Sequence, residues 1–182
     1  MNPRLLGTLC ILGVLVGAAE GVRILLGRED PDTLTYVLGL VSAVGTVCGM
    51  LGMMALKVAG NGRAGQLVLG LMLASEVATG LLALVGLITR RVLDPWPAVV
   101  GMISVVAAIA VGFLAVRAGR WEGWRKFAPF ALPLALVLGI VMGFAGAPPL
   151  YLIIFSAAWL VIGYAVRSSA PAIVLDASTM KA

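Results

Sequence analysis

Hydrophobic residues in this chain come in long runs rather than in alternation. Six stretches, at 5–26, 34–56, 66–88, 97–116, 128–146 and 150–166, are separated by short segments that hold most of the charge and four of the nine prolines. A membrane-spanning helix needs about 20 predominantly apolar residues. The pattern therefore predicts an all-α polytopic membrane protein, with a six-helix transmembrane domain over 1–167 and a short cytoplasmic tail over 168–182. The separating segments carry helix-start chemistry: Asp32 or Thr33 can cap the second helix, and Asp94-Pro95 stands before the fourth. Pro129 and Pro133 fall in the expected first turns of the fifth, where a missing donor costs least. The segment 57–65, KVAGNGRAG, reads as a flexible glycine-rich turn.

The even-numbered runs resemble one another. Val37-Leu38-Gly39-Leu40-Val41-Ser42 parallels Val99-Val100-Gly101-Met102-Ile103-Ser104, and Leu152-Ile153-Ile154-Phe155-Ser156 is a weaker third copy. Each copy follows a proline (Pro31, Pro95, Pro149) and ends alike, in GMMALK, GFLAVR and GYAVR. Six helices are thus expected as three hairpins entered from one side, forming a ring or bundle of pseudo-threefold character whose axis is the natural place for a polar path. A rival reading makes 5–16 the core of a signal peptide with Gly17-Ala18-Ala19 as its small-residue cleavage site. The run continues through Val22, Ile24, Leu25 and Leu26, and only Arg4 charges the region before it, so a retained helix is expected.

Composition agrees with the bilayer as solvent: 62% of the residues are hydrophobic and 12% charged, more apolar surface than one soluble core of 182 residues can hide. Histidine is absent. That removes the commonest metal and haem ligand and the commonest acid–base catalyst, so an enzyme is not expected. Cys10 and Cys48 lie inside apolar runs and read as small hydrophobes, with no disulfide, metal site or cofactor implied. The net charge of +5 comes from interhelical segments, so membrane orientation explains it and nucleic-acid binding is not expected. With the N-terminus inside, nine Lys and Arg residues are inner (Arg4, Lys57, Arg63, Arg117, Arg120, Arg125, Lys126, Arg167, Lys181) and four outer (Arg23, Arg28, Arg90, Arg91). The positive-inside rule then places both termini in the cytoplasm, with a bacterial-type inner or plasma membrane as the expected location.

The candidate chemistry centres on Glu76, a lone acid in the middle of the third run. A charged carboxylate at mid-bilayer costs roughly 2.5–3.5 kcal/mol on insertion scales, so its side chain is expected to face protein or water. At 100° per residue it shares a face with Thr79 and Gly80. Two uses compete: lining a proton or cation path, and donating a hydrogen bond as a neutral acid. Glu20 and Arg23 are three apart on the first run, placed to pair, and Glu20 with Glu76 gives an outer and a middle carboxylate. Small residues recur every four positions as Gly13, Gly17 and Gly21, as Ser104, Ala108 and Gly112, and as Gly139, Gly143 and Ala147. In lipid such stripes let helices approach closely. Trp121, Trp124, Arg125 and Lys126 read as anchors at the membrane interface.

A small-solute or ion channel or transporter is the expected function. The alternatives are a substrate-binding membrane subunit of an importer and a structural or assembly subunit of a larger complex. The expected partners are the lipid bilayer and either further copies of the chain or a larger membrane complex. In helix number the chain resembles the six-helix urea and amide channels, the acetate permeases and the membrane subunits of vitamin importers. It lacks the aromatic-rich signature stretches of the channels and permeases, so no family is assigned.

Overall fold

The computed structural model describes residues 2–27, 33–90, 96–144 and 150–169. The expected cap at Asp32, the Asp94-Pro95 start, Pro31, Pro148, Pro149, Arg28, Arg91, Ala147 and the tail from 170 onward, Lys181 included, lie outside these residues. The described residues form α1 (Pro3–Leu25), α2 (Thr33–Ala55), α3 (Arg63–Thr89), α4 (Trp96–Ala118), α5 (Ala131–Phe144) and α6 (Leu150–Ser169), with no strand among them. Asn2 starts α1 by accepting the Arg4 amide at 3.0 Å, with Pro3 behind it where a donor is not needed.

Five of the six helices are long and apolar enough to cross a membrane. The exception is α5. In place of one helix over 128–146, a 3-10 helix (Gly123–Phe130) precedes an α-helix of 14 residues. The described part of α5 runs to Phe144, where this stretch of described residues stops. The cause of its late start is the proline pair: a continuous α-helix would lose the amide bonds of residues 129 and 133 and press the Pro133 ring on the carbonyl of Pro129. Beginning α5 at Ala131 leaves Pro133 in the first turn. At the other end of the chain, α6 carries two residues of the expected tail, Ser168 and Ser169, in its last turn.

Each helix touches the next in sequence, and α1 packs on α6 to close a ring whose slimmest seam is α4 with α5. Registers are antiparallel. On α1, Gly7 meets Gly163 and Arg167 of α6, while Gly21 meets Ile153. Gly13 abuts Gly45 of α2 backbone to backbone, because a Cβ on either would lie within 3 Å of the other's Cα. One end of the bundle therefore gathers Arg4, Lys57, Arg63, Arg117, Arg125, Lys126 and Arg167, and is called the basic end below.

Burial is lopsided along this axis. Cys10, Val14, Met50, Met53, Met72, Val111, Trp159, Ile162 and Val166 pack into a core in the half near the basic end. Segment 57–65 belongs to that half: Val58 and Ala59 are buried, and Gly65 lies so close to the Ala59 carbonyl that a side chain there would not fit. Trp121 is also buried, turned into the core, whereas Trp124 is exposed. Of the small-residue stripes, Ala108 is fully buried, Gly112 faces the Phe130 ring and Gly139 faces the Tyr151 ring. Gly143 lies in α5, its surroundings outside the described residues.

Candidate functional site

Glu76 stands at the middle of α3 with 3% of its surface exposed. Ser104 of α4 donates to Glu76 Oε1 at 2.7 Å, and the Thr46 hydroxyl of α2 is a second partner of the carboxyl. Thr46 Oγ1 also lies 2.9 Å from the Ala43 carbonyl oxygen. A hydroxyl has one proton to donate, so Thr46 can give it to the carboxylate or to the carbonyl, but not to both. The other hydroxyls of α3 are settled on their own helix, Ser75 on the Met72 carbonyl and Thr79 on the Ser75 carbonyl.

The carboxyl borders a cavity of about 160 Å³ enclosed by α1, α2, α3 and α6. At about 30 Å³ per water, that is room for roughly five waters or a small solute. Gly17 and Glu20 of α1 line it, as do Ser42 and Thr46 of α2, Glu76 and Thr79 of α3, and Phe155 and Ser156 of α6. A Cβ at 17 would lie 2.5 Å from Ser42 Oγ and 3.1 Å from Ser156 Oγ, so a larger residue there displaces the Ser42 hydroxyl from the cavity wall. Among the described residues no lysine or arginine lines this cavity.

Glu20, 4% exposed, is the cavity's second acid. Arg23 holds it through Nε to Oε2 at 2.8 Å and Nη2 to Oε1 at 2.9 Å. Nη2 also donates to Thr35 of α2, so the pair ties two helices together on the side of the cavity away from the basic end. Among the described residues no three His, Cys, Asp or Glu side chains converge on one point.

Glu76 has a second, apolar neighbourhood. A groove of about 240 Å³ between α2 and α3, lined by Leu40, Val44, Cys48, Val77, Gly80 and Leu84, also reaches the carboxyl. Val44, Val77 and Leu84 are exposed along it. The carboxyl thus stands between a cavity that carries hydroxyl groups on largely apolar walls and a wholly apolar flank.

The sequence reading named Glu76, Thr79 and Glu20, which the structure brings to one cavity with Arg23 beside it. Thr46 was not singled out, Ser42 and Ser156 stood only as members of the repeat, and Ser104 as a member of the repeat and of a packing stripe. The signal for three of these was already in the repeat. Ser42, Ser104 and Ser156 are the aligned last positions of the repeated segment, and all three arrive at the cavity or at the carboxyl.

Ser104→Ala is expected to lower stability by about 1–2 kcal/mol, the usual consequence of removing one partner of a buried hydrogen bond. Denaturant titration in detergent micelles measures it. An unchanged midpoint would show that the carboxyl does not depend on this bond. No protein-family model matches the sequence, and neither a curated protein nor a solved structure matches it.

Proposed function

We propose that this integral membrane protein carries protons or a small cation across the bilayer, with Glu76 as the group that binds and releases the charge. The observation that carries the reading is the cavity itself: Glu20, Glu76 and four hydroxyl side chains line it, and among the described residues no lysine or arginine does. A carboxylate so far from bulk water takes up a proton or a cation to balance its charge. Thr46 suits both states. It donates to a charged carboxylate, and turned to the Ala43 carbonyl it accepts from a protonated one.

The packed half near the basic end favours a carrier over an open pore, because Val14, Met50 and Trp159 are fully buried in its core. We place the six helices as three hairpins with both termini in the cytoplasm. The nine-to-four distribution of Lys and Arg supports that orientation, and the convergence of the three repeated serines supports the hairpins.

The test is flux into liposomes holding the purified chain, followed with an internal pH dye and with sodium or potassium uptake. Glu76→Gln keeps an acceptor for Ser104 but cannot ionise, so its flux is expected to fall at least tenfold while its melting midpoint stays near that of the parent. Equal flux in the two proteins sinks the proposal, as does a parent chain that moves none of these ions. A second reading is favoured by the α2/α3 groove, which lets an amphiphilic amine reach Glu76 from the lipid. In that case Gly80→Leu, which fills the groove, blocks amine uptake and leaves proton flux intact.

A further inference from the structure

At the basic end, away from Glu76, the first and last helices form a polar hollow that the transport reading does not use. It has a volume of about 540 Å³ and is lined by Arg4, Leu5 and Thr8 of α1 with Tyr164, Arg167 and Ser168 of α6. The two guanidinium groups and the Tyr164 hydroxyl are donors that a phosphate diester attracts, while Thr8 and Ser168 give their protons to the Arg4 and Ala165 carbonyls; arginine binds phosphate through paired N–H groups.

The hollow does not stand alone. Tyr164, on its wall, stacks on Trp124 with ring centroids 6.0 Å apart and planes inclined by 15°. Trp124 in turn begins an apolar groove of about 300 Å³ that runs over Phe127, Ala131, Leu134 and Val161. Leu134, Ala131 and Val161 also line the next hollow, of about 210 Å³, which continues between α5 and α6 to Leu138, Ile154 and Ala157. Polar hollow, aromatic stack and apolar groove therefore follow one another over the outer face of α6, the hollow on its α1 side and the groove on its α5 side, joined by the Trp124–Tyr164 stack. From Arg167 to Ile154 the drop along α6 is about 20 Å at 1.5 Å per residue, enough to cross one leaflet of a hydrocarbon core about 30 Å thick.

We propose that this face of α6 binds one anionic glycerophospholipid, its phosphate between Arg4 and Arg167 on the α1 side and one acyl chain in the groove between α5 and α6. Charge complementarity selects the headgroup, and continuity with a lipid-facing groove selects a chain-bearing phosphate over a free one. The 3-10 turn at 123–130 shapes the groove by setting Trp124 and Phe127 against its upper end. The aromatic pair holds the depth at which head and chain meet, as interfacial aromatic residues do.

The experiment is retention of lipid on the delipidated full chain in detergent, read by native mass spectrometry. Phosphatidylglycerol, phosphatidylcholine with the same acyl chains, and glycerol phosphate are offered separately. Phosphatidylglycerol is expected to be retained at least tenfold better than phosphatidylcholine, and glycerol phosphate is not expected to be retained. Arg4→Gln with Arg167→Gln should bring phosphatidylglycerol down to the phosphatidylcholine level, while the Lys pair at the same positions keeps the preference and shows that the fold survives. Ala157→Trp should remove retention of the anionic lipid with both arginines in place. Equal retention of the two lipids overturns the proposal, as does glycerol phosphate binding that Ala157→Trp leaves unchanged. A tenfold gain in retention on deleting 170–182 also overturns it, since the chain's own tail is then the occupant.

Discussion

Gly13→Val is expected to separate α1 from α2 and to destabilise the protein by about 3 kcal/mol, enough to lose most monodisperse material from a detergent extract. The first atom of the new side chain would lie 2.6 Å from the Gly45 Cα, 3.0 Å from its N and 3.0 Å from the Val41 carbonyl oxygen. All three are backbone atoms, so no rotamer change relieves the clash and the helices themselves must move. Moving them forfeits close van der Waals contact, which in lipid is the main attraction between helices. Gly45→Val should do the same, and the double variant should cost little more than either, because the first substitution already opens the seam. Gly39→Ala and Gly101→Ala are the controls: nothing lies within 4 Å of a Cβ at either position. Each is expected to be neutral or to gain up to about 1 kcal/mol from better helix propensity. Thermal melting in one detergent measures the whole series. Equal shifts at 13 and 39 would falsify the backbone-contact argument.

Much of this architecture was legible because the bilayer makes hydrophobic length a direct signal. Residues 33–55 and 63–89 could be marked to within a few positions, since only a helix satisfies every backbone group of an apolar segment in lipid. The fifth helix was misjudged for a local reason: 128–146 has the length and apolarity of a span, but Pro129 and Pro133 set where α-geometry can begin. Segment 57–65 was read as a flexible turn from its glycines, yet its apolar members, Val58 and Ala59, fill a gap in the core. Trp121 and Trp124 look alike in sequence and separate in the structure. Three residues place them on different sides of a turn, and only tertiary packing decides which one is buried.

Of the site, the charged members were legible and the neutral ones were not. Glu76 and Glu20 stand out because a carboxylate in an apolar run is costly and needs a reason. Ser42, Thr46, Ser104 and Ser156 cost little in a helix, where a hydroxyl can bond its own carbonyls, so singly they gave no signal. Their convergence depends on which faces meet, and the chain encodes that through Gly13, Gly17 and Gly45 rather than through the serines. Only the periodic recurrence of serine at the same place in three segments hinted at it.

Arg23→Leu is expected to be nearly as damaging as Gly13→Val, at on the order of 3 kcal/mol, for an electrostatic reason. It removes both charge-assisted hydrogen bonds from Glu20 and leaves that carboxylate, with 5% of its side chain exposed, without its Arg23 counter-charge. It also cuts the link from Arg23 to Thr35 of α2. Glu20→Leu should be milder, about 1 kcal/mol, because the Arg23 side chain is 19% exposed and can extend its guanidinium toward water. The double variant Arg23→Leu with Glu20→Leu should recover most of the loss, since an apolar pair in place of a buried ion pair is often neutral. The asymmetry between the two single variants and the recovery in the double are the readouts, by denaturant titration at neutral pH. If the two single losses are equal and simply add, the pair is a surface contact and not the buried tie between α1 and α2 that its geometry describes.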